Sequence, residues 1–160
     1  MPDQLLEIVA QSIHEDYVER RRSEEGKSSS DSSLLPWDEL PETLRDSNRE
    51  QAKDIENKLA AISCEIASND DDRPPVVEFS EAEVEMLAKL EHDRWETERR
   101  ADGWTYGTVK DSFGKHSPYL IPWEDLTEEV RDLDRDTVRR IPQFLRNVDL
   151  VVVRSLGTKV

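Results

Sequence analysis

The sequence predicts a mostly helical α+β chain built from two copies of one helical pattern, each closed by a short strand. Three observations carry that prediction. Apolar residues recur at steps of three and four over long stretches, which is the period of a helix with one buried face. Residues 5–62 and 83–148 repeat one another at constant offsets. Two short apolar runs, 63–67 and 149–153, the second rich in β-branched residues, follow the last helix of each copy and read as strands.

The repeat is checked by subtraction. His14 and His92 differ by 78, as do Ala10 and Ala88, Tyr17 and Trp95, and Arg21 and Arg99. From Pro36-Trp37-Asp38 onward the offset is 86, matching Pro122-Trp123-Glu124, then Arg45-Asp46 with Arg131-Asp132 and Arg49 with Arg135. The additional residues enter between Arg99 and Pro122, the stretch that holds Gly103-Trp104-Thr105-Tyr106-Gly107, an aromatic turn missing from the first copy. Self-similarity of this kind marks repeated structural units. Two half-sites made on one plan are expected to face each other, so function is expected where the copies meet.

Taken in order, the first helix spans about 3–22, with Leu6, Val9, Ala10, Ile13 and Tyr17 on one face. The Ser-rich stretch 23–33 breaks the pattern and reads as a loop. Pro36-Trp37 opens a short helical turn, Pro41 begins another, and Ser47 or Asn48 is placed to cap a helix running through Ala52, Ile55, Leu59 and Ile62. Residues 68–79 form an acidic, proline-containing linker between copy one (1–67) and copy two (80–160). Ser80 with Glu83 is a capping-box pattern that starts the next helix, in which Glu91 stands where the first copy has Ile13. Gly103 ends that helix and Gly107 lets the chain turn again. Asp134 is placed to cap the last helix, which Pro142 is expected to bend.

Each copy alone is near the lower size limit for an independent core, so the halves are expected to pack together. A net charge of −15 argues against non-specific binding to nucleic acid or to anionic membranes. It leaves a basic protein partner or a plain solvating surface. No apolar stretch is long enough to span a membrane and no signal pattern opens the chain, so a cytoplasmic location is expected. The single Cys64 forms no internal disulfide.

With these residues in place, copy two resembles the RyR domain, the repeat found in pairs in ryanodine-receptor channels and as a module in prokaryotic proteins. The matching residues are Glu91-His92-Asp93-Arg94-Trp95, Gly103-Trp104-Thr105-Tyr106-Gly107, Asp111, Lys115-His116 with Pro118, Pro122-Trp123 with Leu126, and Asp134-Arg135. Copy one looks like a degenerate repeat of the same kind, without the aromatic turn. The resemblance implies a non-catalytic fold of a few helices with small strand pairings, its two repeats packed about an approximate two-fold axis. It also implies an adenine-nucleotide type of ligand between the repeats, held by an aromatic residue and an arginine one turn later. Carried over by position, these are Trp95 and Arg99, with Tyr17 and Arg21 in copy one. Prokaryotic members suggest sensing of nucleotide-derived signals.

An aromatic residue and an arginine four apart on a helix point the same way, which suits a base stacked on indole with a phosphate on the guanidinium. The competing reading makes Trp95 a core residue and pairs Arg99 with a carboxylate such as Asp102. His92, Trp104, Tyr106, His116 and Arg135 complete the candidate ligand-binding set; His92, like His14, has the alternative of fixing a backbone carbonyl, and the aromatic residues, with Trp37 and Trp123, that of filling the core. Three scattered histidines and one cysteine make a poor metal set. Neither a cofactor nor catalysis is expected, because the sequence shows no nucleophile with its base and no Gly-rich phosphate loop. The functional expectation is a sensor that binds a small anionic, nucleotide-derived ligand and signals to a protein effector. The alternative is a structural interaction module with a vestigial pocket.

Overall fold

Helices dominate, as the apolar periodicity requires, and each is placed by the residue that starts it. The structure, a computed structural model, describes residues 1–25 and 32–156. The chain divides into two units, Met1–Val77 together with Ile141–Val160, and Glu78–Arg140.

In the first unit α1 (Asp3–Glu25) packs on α2 (Glu42–Lys53), burying Leu6, Val9, Ala10 and Ile13. Two short 3-10 turns follow, Ser32–Leu34 and Trp37–Glu39, the second opening after Pro36 and burying the indole. Then come α3 (Ile55–Ala61) and β1 (Cys64–Ser68), and from the far end of the chain α6 (Ile141–Arg146) and β4 (Leu150–Arg154). Leu59, Leu145 and Val153 are wholly buried. Each such side chain stabilises the fold by about 1.5–3 kcal/mol relative to exposure.

β1 and β4 pair antiparallel, with Ile66 opposite Val152 and Cys64 opposite Arg154. Ile66 and Val152 are themselves counterparts at the offset of 86, so the ladder maps onto itself when the copies are exchanged. The turns into the strands match as well: Ser63 and Asp149, also counterparts, both take the left-handed conformation with φ 60° and 61°. That pairing draws 141–154, which the repeat pattern assigns to copy two, into the unit formed by copy one.

The second unit is built on α4 (Glu81–Ala101). Ser80 accepts from the Glu83 N–H at 3.2 Å and Glu83 accepts from the Ser80 N–H at 2.9 Å, completing the capping box. Val84, Leu87, Ala88 and His92 are buried along one face, and Glu91 with them. A two-residue parallel pairing joins β2 (Thr105–Tyr106) to β3 (His116–Ser117), and α5 (Glu128–Arg139) packs on α4.

Several boundaries differ from the sequence expectation. α1 continues three residues beyond Arg22, and the expected loop lies in part, over 26–31, outside the described residues. Ser47 and Asn48 lie inside α2, which starts directly after Pro41, so neither caps a helix; Asn48 donates instead to the Leu44 carbonyl at 3.0 Å. Asp134 likewise sits inside α5, whose cap is Thr127 accepting from the Val130 N–H. The helix expected through Ile62 is broken at Asp54 into α2 and α3. Pro142 does not bend a helix but stands in the first turn of α6, where its missing N–H leaves no bond unmade. The segment 68–79 is pinned down: Arg73 donates to Asp71 and Glu65, and the Val76 N–H donates to the Val152 carbonyl at 2.7 Å.

Candidate functional site

The site grows from the last two turns of α4. Three arginines lie there, and two are neutralised locally. Arg94 donates to Glu91 at 2.8 and 3.0 Å and to Glu98 at 2.7 Å, which balances the charge of Glu91, only 4% exposed. This pairing holds the Arg94 guanidinium charged against burial. Arg100 donates to Glu96 at 3.0 Å and to the Leu120 carbonyl. Arg99 differs. Its one carboxylate contact among the described residues is Glu98 Oε2, at the 3.5 Å limit of a hydrogen bond.

What holds Arg99 is aromatic. Its guanidinium carbon lies 5.7 Å from the Trp95 ring centre and 5.6 Å from that of Trp104. The indole of Trp104 reaches this position because α4 stops at Asp102, Gly103 takes φ +91°, and the Trp104 N–H donates back to the Arg99 carbonyl at 2.9 Å. A side chain at Gly103 would meet that conformation with strain. Asp102, the carboxylate considered for Arg99, is engaged elsewhere: Lys115 donates to its carbonyl at 2.8 Å and lies 3.6 Å from its carboxylate.

The stack continues inward. His92, 3% exposed, lies 5.8 Å from Trp95 at an interplanar angle of 28° and 6.1 Å from Trp123. Its Nε2 is 2.7 Å from the Ile121 carbonyl, and because a carbonyl only accepts, that nitrogen carries the proton. Trp123, Trp95 and Trp104 thus alternate with an imidazole and a guanidinium, Arg99 lying between Trp95 and Trp104 with its side chain 23% exposed.

The aromatic turn is held from below by His116, whose Nδ1 is 3.1 Å from Thr105 Oγ1 and whose backbone bonds twice to Asp111. Gly107 is required by contact rather than by a left-handed φ: a Cβ there would stand 2.6 Å from the His116 Cβ. His116 is therefore a positioning residue. Tyr106 is 52% exposed and, among the described residues, makes no ring contact with the stack.

Arg135 is placed differently from expectation. It donates to both oxygens of Glu85 at 2.9 and 3.1 Å, to Glu128 at 2.9 Å and to Asp132 at 3.0 Å, while covering the Trp123 ring at 5.6 Å. These bonds hold the Glu85 carboxyl below the ordinary value of 4.5. Three carboxylates thus accept from this one guanidinium. Its counterpart Arg49 makes the same set with Glu7, Glu42 and Asp46, and covers Trp37. In the first unit Tyr17 and Arg21 form their own pair at 5.8 Å, and His14 bonds the Leu35 carbonyl at 2.7 Å.

Residues 76–154 match the RyR domain family. The matched segment contains the whole Trp95–Arg99–Trp104 group, the capping box and β4. Sequence reasoning passed over Lys115 as a site residue; within the RyR segment it is a second cation beside the aromatic turn, and the Lys-His step after that turn was the available signal. Among the described residues no helix is long and apolar enough to cross a membrane, and no group of three His, Cys, Asp or Glu is placed to hold a metal ion.

Proposed function

We propose that the RyR segment is a non-catalytic binding module, in which Trp95, Arg99 and Trp104 take a small anionic, nucleotide-derived ligand, and that ligand occupancy is passed to a protein effector. One observation carries this reading: of the three arginines in the last turns of α4, Arg99 alone lies between two indole faces, with one carboxylate contact among the described residues, to Glu98 at 3.5 Å. A guanidinium stacked in this way keeps its N–H edge for bidentate donation to a phosphate, and an adjacent indole offers a face to a base. The first half reads as a second, degenerate repeat, supported by the recurrence of the His14/His92 and Arg49/Arg135 bonds at the sequence offsets.

Thermal shift of the full chain against adenine nucleotides, ADP-ribose derivatives and cyclic dinucleotides tests the proposal. At least one of these ligands raises the melting temperature of the wild type and has no effect on Trp95→Ala or Arg99→Ala. A silent panel with folded variants refutes it. That outcome would favour a protein-interaction module instead, a reading supported by Phe113, fully exposed, with Val109 and Tyr106 exposed on the same segment.

A further inference from the structure

The two-stranded ladder has two outer edges, and they differ. Its hydrogen-bonded pairs are set by Ser155 N–H to the Ser63 carbonyl and Asn69 N–H to the Asp149 carbonyl. Alternation in an antiparallel ladder then turns the N–H and C=O of Ile66 outward from β1, and those of Val152 outward from β4. On β4 that edge is covered: Val76 donates to the Val152 carbonyl at 2.7 Å and Pro75 bridges Val153 antiparallel. On β1 no backbone group among the described residues pairs with Ile66. A cavity of about 630 Å³ adjoins the start of this strand, lined by Glu56 and Ala60 of α3, by Ser63, Cys64, Glu65 and Ile66, and by Ser155.

Because Ile66 and Val152 are counterparts, the covered edge is a template for the open one. Its cover is extended, contains proline, and presents a β-branched residue whose N–H meets the central carbonyl. We propose that the open edge of β1 docks an extended segment of a partner protein as an added antiparallel strand, the segment carrying proline and β-branched residues and a basic side chain. Strand addition supplies affinity through main-chain bonds and selectivity through alternate side chains. The basic preference follows from the net charge: a chain of −15 repels acidic segments, a second copy of itself included, while Glu65 is already paired with Arg73 and Glu56 lies 3.5 Å from the Met1 amino group.

The test uses the ¹⁵N-labelled full chain and a synthetic peptide of residues 74–79 carrying Glu78→Lys. Expected are amide shifts over 63–68 and at least about fivefold slower exchange at the Ile66 amide on saturation. N-methylation of the peptide nitrogen corresponding to Val76 removes one main-chain donor and weakens binding about threefold to tenfold. The peptide with the native glutamate binds more weakly than the lysine form. Ile66→Pro, whose lost N–H points away from β4, retains the ladder and abolishes docking. Equal affinity of the N-methylated peptide, shifts confined to 150–154, or no shift over 63–68 at millimolar peptide overturns the proposal, whether or not Ile66→Pro folds.

Discussion

Replacing Arg135 with methionine keeps an unbranched apolar stem and removes the guanidinium with its charge, which separates a structural role from a binding one. Two bonds to Glu85 form a bidentate pair with a guanidinium that is 13% exposed, and single bonds run to Glu128 and Asp132. The carboxylates are about half exposed or more, so the single pairs to Glu128 and Asp132 contribute little after screening. The Trp123 contact adds about 0.5–1 kcal/mol. With the bidentate pair at about 1 kcal/mol, Arg135→Met is expected to destabilise the protein by about 1.5–2 kcal/mol. Urea unfolding followed by tryptophan fluorescence measures this. A Glu85→Gln/Arg135→Met cycle should return a coupling near 1 kcal/mol. Arg49→Met, which removes the counterpart hub, should cost the same within about 0.5 kcal/mol. A loss below about 0.5 kcal/mol for Arg135→Met, or markedly unequal costs at the two positions, refutes the reasoning.

Other perturbations test the parts that position the site. Ser80→Ala opens the capping box and should lower stability by about 1 kcal/mol in the same urea assay while leaving ligand response intact. Gly107→Ala forces the aromatic turn away from His116 and should cost about 1–3 kcal/mol, with an altered near-ultraviolet tryptophan signal as Trp104 leaves Arg99. Acid should act through Glu7 and Glu85, whose carboxyls are held below 4.5 by Arg49 and Arg135. A carboxyl lowered in the folded state contributes stability that is fully present above its ordinary value and is lost as pH falls through the lowered one. The melting temperature should therefore fall with acid below about pH 4.5, and less steeply in Glu85→Gln; identical acid slopes contradict the assignment.

Much of this arrangement is legible from residue identities because local rules decide it. The capping box at Ser80, the stop at Gly103 and the prolines before Trp37 and Trp123 act within a few residues, and the constant offsets point to equivalent bonds. Contacts distant along the chain are not legible. Nothing near Arg135 in the sequence marks Glu85, fifty residues away, as its partner, so the ion-pair hub it forms is not legible there. Ser47, Asn48 and Asp134 have good capping chemistry, yet the helices start earlier, at Pro41 and Thr127, and those residues stay inside. The exchange of 141–154 into the first unit is set by strand pairing: a five-residue strand needs a partner, and β1 is its own counterpart. Trp104 and Arg99 are both visible as candidates, but their contact depends on a positive φ that turns the chain back over α4.

The most direct test of the binding claim is an equilibrium titration, followed by tryptophan emission, of the wild type and Arg99→Lys with whichever anionic nucleotide stabilises the protein most. Lysine keeps the charge but loses the planar fork and its stacking on Trp95 and Trp104. Losing charge-assisted bonds of about 1.5–3 kcal/mol predicts affinity at least about tenfold weaker, with unchanged unfolding. Equal affinity of the two proteins would show that the guanidinium between the indoles does not hold the ligand.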